Sequence, residues 1–314
     1  MRPLSRLVLA ALLLPTLPAF LSAEAASSWS SSSTSLSNSS TDVLTNADVL
    51  SNTVPDGFAL VEAGSFRMGD STETGLENEF PSHPVELTAY YIAKTELTQM
   101  EYAGIMGTNP SRFRGDHLPA EQVSWFDAVT YCNLRSVKEK LNPCYTVVTN
   151  PDTAEFGKWT VSCDFTANGY RLPTEAEWEF AARGGNRTRG FKYPGSWRAE
   201  DVAWFDTNAL SSTHTVAGKA TNELGLYDMA GNVWEWVWDW YAPYVEGYVK
   251  NPYGPYIGHI QPESEDSPVA RTRRGGAWID DAAPGDLGVR LTRRSPMEPD
   301  AFDGATGFRV VRTK

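Results

Sequence analysis

The residues best suited to chemistry lie between Asp228 and Glu235, where two carboxylates flank a Gly-Asn turn. Calcium takes carboxylate and backbone carbonyl oxygens together. Asp228, Glu235 and the carbonyls of the turn at Gly231 and Asn232 could therefore surround a hard cation. A tight turn with a solvated carboxylate satisfies the same spacing, so the residues alone leave both interpretations open.

Four tryptophans occupy every second position along Trp234–Trp240. A period of two is that of a β-strand, whose successive side chains point to opposite faces. The pattern predicts a strand whose tryptophans share one face and pack into a core. Glu235, Val237 and Asp239 should then point to the opposite face.

Two helix starts are marked by capping signals, in which a Ser or Thr precedes an acid by three residues. Ser124 with Asp127 opens one predicted helix, and Thr174 with Glu177 opens another. A third helix is predicted over residues 97–106. The acids that follow Thr174 need no catalytic role, because caps and the helix dipole already favour acids at a helix start.

The chain divides into three parts by composition. Residues 1–25 carry Arg2 and Arg6, an apolar stretch and an Ala-Glu-Ala site, which is the pattern of a secretory signal peptide. Residues 26–55 are rich in Ser, Thr and Asn and are predicted to be a disordered linker. Residues 56–314 would form one domain. We therefore expect an exported protein without a membrane span, located in the periplasm, at the cell surface or outside the cell.

The net charge bears on the possible partners of the chain, and the three cysteines bear on its possible disulfides. A formal net charge of −12 argues against nucleic acid as a partner, and we expect a monomer. Three cysteines in an exported chain suggest one disulfide and one free thiol. Cys144 and Cys163 lie in two β-type segments around a turn, which favours a bridge between them. Cys132 lies in a helical pattern, where a buried free thiol is expected.

Four blocks of sequence carry a resemblance to a known family. They are residues 170–184, residues 225–240, the Arg-Gly-Gly-Ala-Trp run at 274–278 and the Gly-Phe-Arg run at 307–309. In this order they resemble the formylglycine-generating enzyme, or sulfatase-modifying factor, family. The resemblance implies an α+β, C-type-lectin-like fold with little regular secondary structure.

The same resemblance implies a structural calcium ion. The family's ligands map to the side chains of Asp228 and Glu235 and to the carbonyls of Gly231 and Val233. Enzymes of the family often have Asn where this chain has Asp228, a change that keeps an oxygen ligand and adds charge. We therefore expect Ca²⁺ at this position.

The family's oxidative chemistry is not expected in this chain. Family enzymes oxidise a substrate cysteine with oxygen through two cysteines after the Gly-Gly-aromatic motif, and in aerobic members these thiolates hold copper. Here no cysteine follows Cys163, and the two positions fall near Asp280 and Gly285. Neither residue offers the soft sulfur that Cu(I) selects. We expect neither catalytic residues of the family's kind nor copper.

A polar segment, residues 279–303, stands in place of the catalytic cysteines. The arrangement is similar to that of bacterial variable proteins diversified by retroelements, whose C-type-lectin surface lies between Gly-Gly-Ala-Trp and Gly-Phe-Arg. This likeness implies a surface that binds a protein, peptide or glycan ligand. The predicted ligand-binding residues are Trp278, Ile279, Asp280, Asp281, Asp286, Leu287, Arg290, Leu291 and Arg293.

Three alternatives to a binding protein stay open at the level of sequence. The chain could be a divergent oxidase or a related periplasmic enzyme acting on a peptide or metabolite. It could be a degenerate relative whose cleft is idle. It could also be a structural subunit that docks through the aromatic loop at residues 241–256.

Overall fold

In the computed structural model, the described residues all lie in the unit Asn52–Lys314. The predicted leader at residues 1–25 and most of the predicted linker at 26–55 lie outside the described residues. The structure describes residues 53–72, 74–148, 160–255, 269–281 and 288–314.

Short strands and a few helices make up the regular structure, as expected for an α+β fold. The α-helices are α1 (Gln99–Met106), α2 (Trp125–Lys138), α3 (Glu175–Ala182) and α4 (Ala199–Val202). The strands are β1 (Phe58–Val61), β2 (Gly64–Met68), β3 (His83–Leu87), β4 (Tyr90–Ala93), β5 (Tyr145–Val148), β6 (Thr160–Cys163), β7 (Tyr170–Arg171), β8 (Trp234–Trp240), β9 (Val249–Lys250), β10 (Arg271–Arg274), β11 (Arg294–Met297), β12 (Thr306–Gly307) and β13 (Val311–Thr313).

The strands form small sheets that join distant parts of the chain. One sheet has the order β1-β4-β13-β7, and a second has the order β11-β10-β8-β12. In the second sheet, β8 pairs antiparallel with β10 and parallel with β12. The smaller sheets are β2-β3-β9 and β5-β6. The tryptophan strand β8 therefore lies inside a sheet, with a neighbour on each side.

Each of the three longer helices begins with a capping box, which the sequence predicts at Ser124 and Thr174 but not at Thr98. The side chains of Thr98, Ser124 and Thr174 accept a hydrogen bond from the backbone N–H three residues later, and the acid at that position accepts one in return. This reciprocal pair satisfies two of the amide groups that every helix start leaves without a partner. None of the helices in the described part of the chain is long and apolar enough to cross a membrane.

Strand β8 confirms the predicted strand, and both of its faces are buried. Glu235 is fully buried and Asp239 is 5% exposed, so the face opposite the tryptophans is buried as well. Trp236 packs in a core cluster with Trp125, whereas Val237 packs in a second cluster on helix α3. The strand separates two cores because it is central in its sheet and covered on both faces.

The predicted bridge between Cys144 and Cys163 is not formed, and both residues are free thiols, as is Cys132. The register of the β5-β6 hairpin explains the difference. Tyr145 stands opposite Cys163, and Cys144 lies one position earlier in the chain. Because successive residues of a strand point to opposite faces, the side chains of Cys144 and Cys163 lie on opposite faces of the hairpin.

Candidate ligand-binding surface and cation site

The three glutamates of α3 are buried in ion pairs with arginines from other elements. Glu177 accepts hydrogen bonds from both terminal nitrogens of Arg171, at 2.6 and 2.7 Å. The other pairs are Glu179 with Arg274, at 2.5 Å, and Glu175 with Arg294, at 2.8 Å. Glu177 also completes the capping box. These carboxylates therefore hold the helix in place through their ion pairs.

The oxygen-rich turn before β8 has an unusual backbone. Asp228, Gly231 and Asn232 all have left-handed φ angles, at 53°, 74° and 55°. A Cβ atom on Gly231 would lie 2.1 Å from the carbonyl oxygen of Trp204. Glycine is needed at this position because any side chain would collide with that backbone. The turn is thus fixed by its contact with the backbone of Trp204.

Glu96 also holds this turn through hydrogen bonds, and no sequence pattern predicted that role. One of its carboxylate oxygens accepts the side-chain amide of Asn232 at 2.6 Å, and the other accepts the backbone N–H of Val233 at 3.0 Å. Burial, and then the nearby carboxylates of Asp228 and Glu235, raises the pKa of Glu96 well above its usual value. Nothing local marks Glu96, because its partners lie more than a hundred residues away.

Asp228, the first predicted calcium ligand, has one oxygen without a partner. Its Oδ2 accepts the backbone N–H of Ala217 at 2.7 Å. Its Oδ1 is buried and has no hydrogen-bond donor among the described residues. Burial raises the pKa of Asp228 to about 6. An orphaned buried carboxylate oxygen is the kind of atom that a bound cation would satisfy.

Glu235, the last predicted ligand, is already paired with Arg309. Its Oε2 accepts Arg309 Nε at 2.6 Å and Trp178 Nε1 at 2.8 Å, and its Oε1 accepts Arg309 Nη2 at 2.7 Å. Arg309 also donates to the carbonyls of Tyr227 and Asp228. The guanidinium thus supplies positive charge beside the turn, and Oε1 retains one acceptor position.

The predicted residues retain acceptor atoms that a cation could use. Asp228 Oδ1 and the second acceptor position of Glu235 Oε1 are the side-chain atoms able to bind it, together with backbone carbonyls such as those of Gly231 and Val233. In the described regions, no group of three or more His, Cys, Asp or Glu side chains is placed to hold a metal. A cation here would therefore depend on backbone oxygens, as calcium sites often do.

The first part of the predicted binding segment forms an exposed turn. Trp278 Nε1 donates to the carbonyl of Gly304 at 2.9 Å, which fixes the half-buried indole. Ile279 is 52% exposed. The Asp280 side chain accepts the backbone N–H of Ala277 at 2.8 Å, and burial raises the pKa of Asp280. Asp281 is half-buried in the same turn.

Arg293 lies beside this turn, over the ring of Trp234 at 5.7 Å from its centre. Its Nε is buried and has no acceptor among the described residues. Arg273 lies over the same ring at 5.1 Å and donates to Thr306 at 2.7 Å. Burial lowers the pKa of Arg273. Arg293 is partly exposed and its terminal nitrogens donate no hydrogen bond to a described residue, so they have donor capacity left for a ligand.

Arg290 and Leu291, also predicted to bind ligand, are buried in the fold, and that prediction is wrong. Arg290 is 5% exposed and donates to both carboxylate oxygens of Glu79, at 2.7 and 2.8 Å. Thr292 donates to the same carboxylate at 2.5 Å. Leu291 packs in the core beside α3. The remaining predicted residues, Asp286 and Leu287, lie outside the described residues.

The sequence did not predict Arg112 and Phe113, which lie outside the segment, or single out Phe302 within it. Phe113 meets Trp278 edge to face, with 5.5 Å between the ring centres. Arg112 lies over the ring of Phe113 at 5.2 Å, and Phe302 is 60% exposed. No local pattern marks Phe113, because only the fold brings it to Trp278. We call Phe113, Trp278, Ile279, Arg293 and Phe302 the recognition surface.

Comparison with known proteins agrees with this architecture. The model of the sulfatase-modifying factor enzyme 1-like domain matches residues 45–314. The chain belongs to this family and has its α+β, C-type-lectin-like fold.

Among solved structures, the chain is similar to Treponema denticola variable protein 1. The two share 32% identity with a TM-score of 0.70, over 82% of this chain and 95% of that one. Among curated proteins, it is 36% identical to the chaperone protein LppX of Paenibacillus barcinonensis, over 83% of this chain and 91% of the relative. It is 29% identical to the formylglycine-generating enzyme of Streptomyces coelicolor, over 81% of this chain and 88% of the enzyme.

Proposed function

We propose that this chain is an exported, non-enzymatic binding protein that uses the recognition surface to hold a ligand. The observation that carries the proposal is the contrast within one segment. Asp280 stands near the position of the family's first catalytic cysteine, while the neighbouring Arg293 is partly exposed and its side chain donates no hydrogen bond to a described residue. A site with donors to spare and no nucleophile is suited to recognition.

The exposed apolar groups on this surface support a polypeptide ligand. Ile279 and Phe302 are 52% and 60% exposed, and Trp278 packs edge to face on Phe113 and is held by its hydrogen bond to Gly304. Aromatic and arginine side chains dominate the energy of protein interfaces. A relative that covers most of the chain is named a chaperone protein, which accords with binding of another polypeptide.

A peptide array tests this proposal directly. We expect the protein to bind a subset of peptides that combine an acidic residue with apolar neighbours, since Arg293 requires an anionic or carbonyl acceptor. The double variant Ile279→Ala, Arg293→Ala should lose this binding at least tenfold. Leu210→Ala is the matched control, because Leu210 is 85% exposed and lies outside the surface. Equal binding by all three proteins would refute the assignment.

A divergent family oxidase is the competing function. It would require a redox metal or a nucleophile that the positions of Asp280 and Gly285 do not supply as thiolates. The specific observation in its favour is family membership, since the S. coelicolor relative is named as an enzyme. Metal analysis of the purified protein distinguishes the two functions, because a tightly bound copper ion would support the oxidase.

We further propose that Ca²⁺ binds at the turn before β8. The Asp228 and Glu235 side chains and the carbonyls of Gly231 and Val233 would hold it. The support is the orphaned Oδ1 of Asp228 and the left-handed turn. When bound, the ion would stabilise the turn and take no part in chemistry. Export through the leader at residues 1–25 is part of the same proposal and is tested by locating the protein after cell fractionation.

A further inference from the structure

A basic and aromatic loop, residues 187–198, stands out against the acidic character of the chain. It contains four basic residues and no acid, whereas the whole chain has a formal net charge of −12. The basic side chains are exposed. They are Arg187, Arg189, Lys192 and Arg198. The loop shares no residue with the recognition surface.

Three of these charges have no partner within the described chain. No described hydrogen bond or ion pair involves the side chains of Arg187, Arg189 or Lys192, and the last two lie over the rings of Phe191 and Tyr193. Arg198 lies 3.7 Å from Glu200 but is 72% exposed, and such pairs contribute little. The loop therefore presents unpaired positive charge to solvent.

Two aromatic side chains of the loop, Trp197 and Phe191, pack together at its surface. Trp197 is 66% exposed and meets Phe191 edge to face, with 5.6 Å between the ring centres. Arg189 lies over the ring of Phe191 at 4.9 Å. A Cβ atom on Gly190 would have nothing within 4 Å, so the backbone between these residues faces open space.

The loop is also anchored at its base. The backbone N–H of Arg189 donates to Glu223 at 2.9 Å, and Tyr193 is buried in a small core cluster. Tyr193 and Ser196 exchange backbone hydrogen bonds at 3.0 and 3.2 Å. An anchored, protruding loop presents its exposed groups without a large loss of conformational entropy on binding.

We propose that this loop docks the protein on a membrane surface rich in anionic phospholipid. Basic side chains are attracted to anionic headgroups, and tryptophan favours the interface between headgroups and acyl chains. A protruding loop with an aromatic tip suits shallow insertion, whereas protein interfaces usually bury 20–30 residues a side. The acidic remainder of the chain opposes binding weakly, because charges beyond about 8 Å are screened at physiological salt.

Sedimentation with vesicles tests this docking. We expect the protein to bind equimolar phosphatidylglycerol and phosphatidylcholine vesicles but not pure phosphatidylcholine vesicles, and to be released at about 1 M salt, where screening acts within about 3 Å. The triple variant Arg187→Gln, Arg189→Gln, Lys192→Gln should bind about 100-fold more weakly, at about fivefold per lost charge. Trp197→Ala should weaken binding several-fold and keep its salt dependence.

A control with the same change in net charge separates the effect of the loop's charges on binding from the effect of the net charge of the protein. Lys94, Lys138 and Lys140 are exposed lysines elsewhere, and their replacement by Gln should leave vesicle binding within about twofold. Circular dichroism verifies that each variant is folded. Equal loss in the two triple variants, or no binding of the wild type to the anionic vesicles, would overturn the proposal. So would binding of soluble poly-glutamate through the loop without binding of the vesicles.

Discussion

Residues 278–281 and residues 290–294 belong to one predicted binding segment, yet their side chains have different surroundings. In the first group, Ile279 is 52% exposed and Trp278 forms the wall of an open turn. In the second group, Arg290 is 5% exposed and paired with Glu79. Arg293 is the member of the second group that joins the first, because its partly exposed guanidinium lies over Trp234.

The difference teaches that charge and variety in a segment do not by themselves mark a binding surface. Arg290 and Arg293 are the same residue type three positions apart, but of the two only Arg290 forms an ion pair with a carboxylate among the described residues. A buried ion pair holds the fold in place and keeps its donors away from a ligand in solvent. What is available for recognition is the set of side chains without partners.

The largest expected effect comes from breaking the buried pair. Arg290→Met leaves the Glu79 carboxylate buried without its guanidinium, which should cost about 3–5 kcal/mol in the free energy of unfolding. Arg293→Met should change that free energy by about 0.5 kcal/mol or less. Urea unfolding followed by tryptophan fluorescence measures both. Similar losses in the two variants would mean that Arg293 also has a structural role.

The apolar residues Leu291 and Ile279 test the same difference between buried and exposed side chains. Leu291 is 5% exposed and packs in the core, so Leu291→Ala should cost about 2–5 kcal/mol. Ile279→Ala removes a half-exposed side chain and should cost less than about 1 kcal/mol. Thermal unfolding of both variants at one pH tests this difference. A large loss for Ile279→Ala would place that residue in the core and remove it from the recognition surface.

Calcium should stabilise the turn before β8 without changing the recognition surface. At a hundred times its dissociation constant, Ca²⁺ should raise the free energy of unfolding by about 2.7 kcal/mol. Asp228→Ala should abolish this gain, because it removes the unpartnered oxygen. Melting curves in calcium and in a chelator provide the measurement, with Asp206→Ala as the matched control. Unchanged curves in the wild type would argue against the site.

The pH dependence of stability should reveal the raised pKa of the buried Asp239 carboxyl. Burial, and then the neighbouring Glu175 carboxylate, raises the pKa of Asp239 to about 8. The folded protein therefore binds more protons than the unfolded chain between about pH 4 and 8, so this group makes stability fall as pH rises through that window. Asp239→Asn should remove a slope of at most about 1.4 kcal/mol per pH unit. Denaturant titrations at pH 5 and 8 compare the two proteins, and identical slopes would contradict the shift.

The sequence predicted best what is decided locally. Capping boxes need only residues three apart, so the starts of α2 and α3 at Ser124 and Thr174 are confirmed. The alternating tryptophans likewise mark β8. The family blocks predicted the fold as well, because residue types fixed by packing recur in order along the chain.

The sequence could not predict what depends on distant pairing. Glu79 and Arg290 are 211 residues apart, and no pattern near either one indicates the other. Glu96 supports the turn at Asn232 across 136 residues. The predicted bridge at Cys144 and Cys163 is not formed because one residue of register moves a side chain to the other face of a hairpin.

If the chain recognises a ligand and lacks the family's oxidative chemistry, an assay for that chemistry is the most direct test. The protein is incubated with copper, oxygen, a reductant and a sulfatase-type cysteine peptide, and mass spectrometry measures conversion of the cysteine to formylglycine. We expect no conversion beside an active family enzyme as control, because Asp280 cannot act as a thiolate. Conversion by this protein would contradict the account and assign the chemistry to residues other than the family's cysteines.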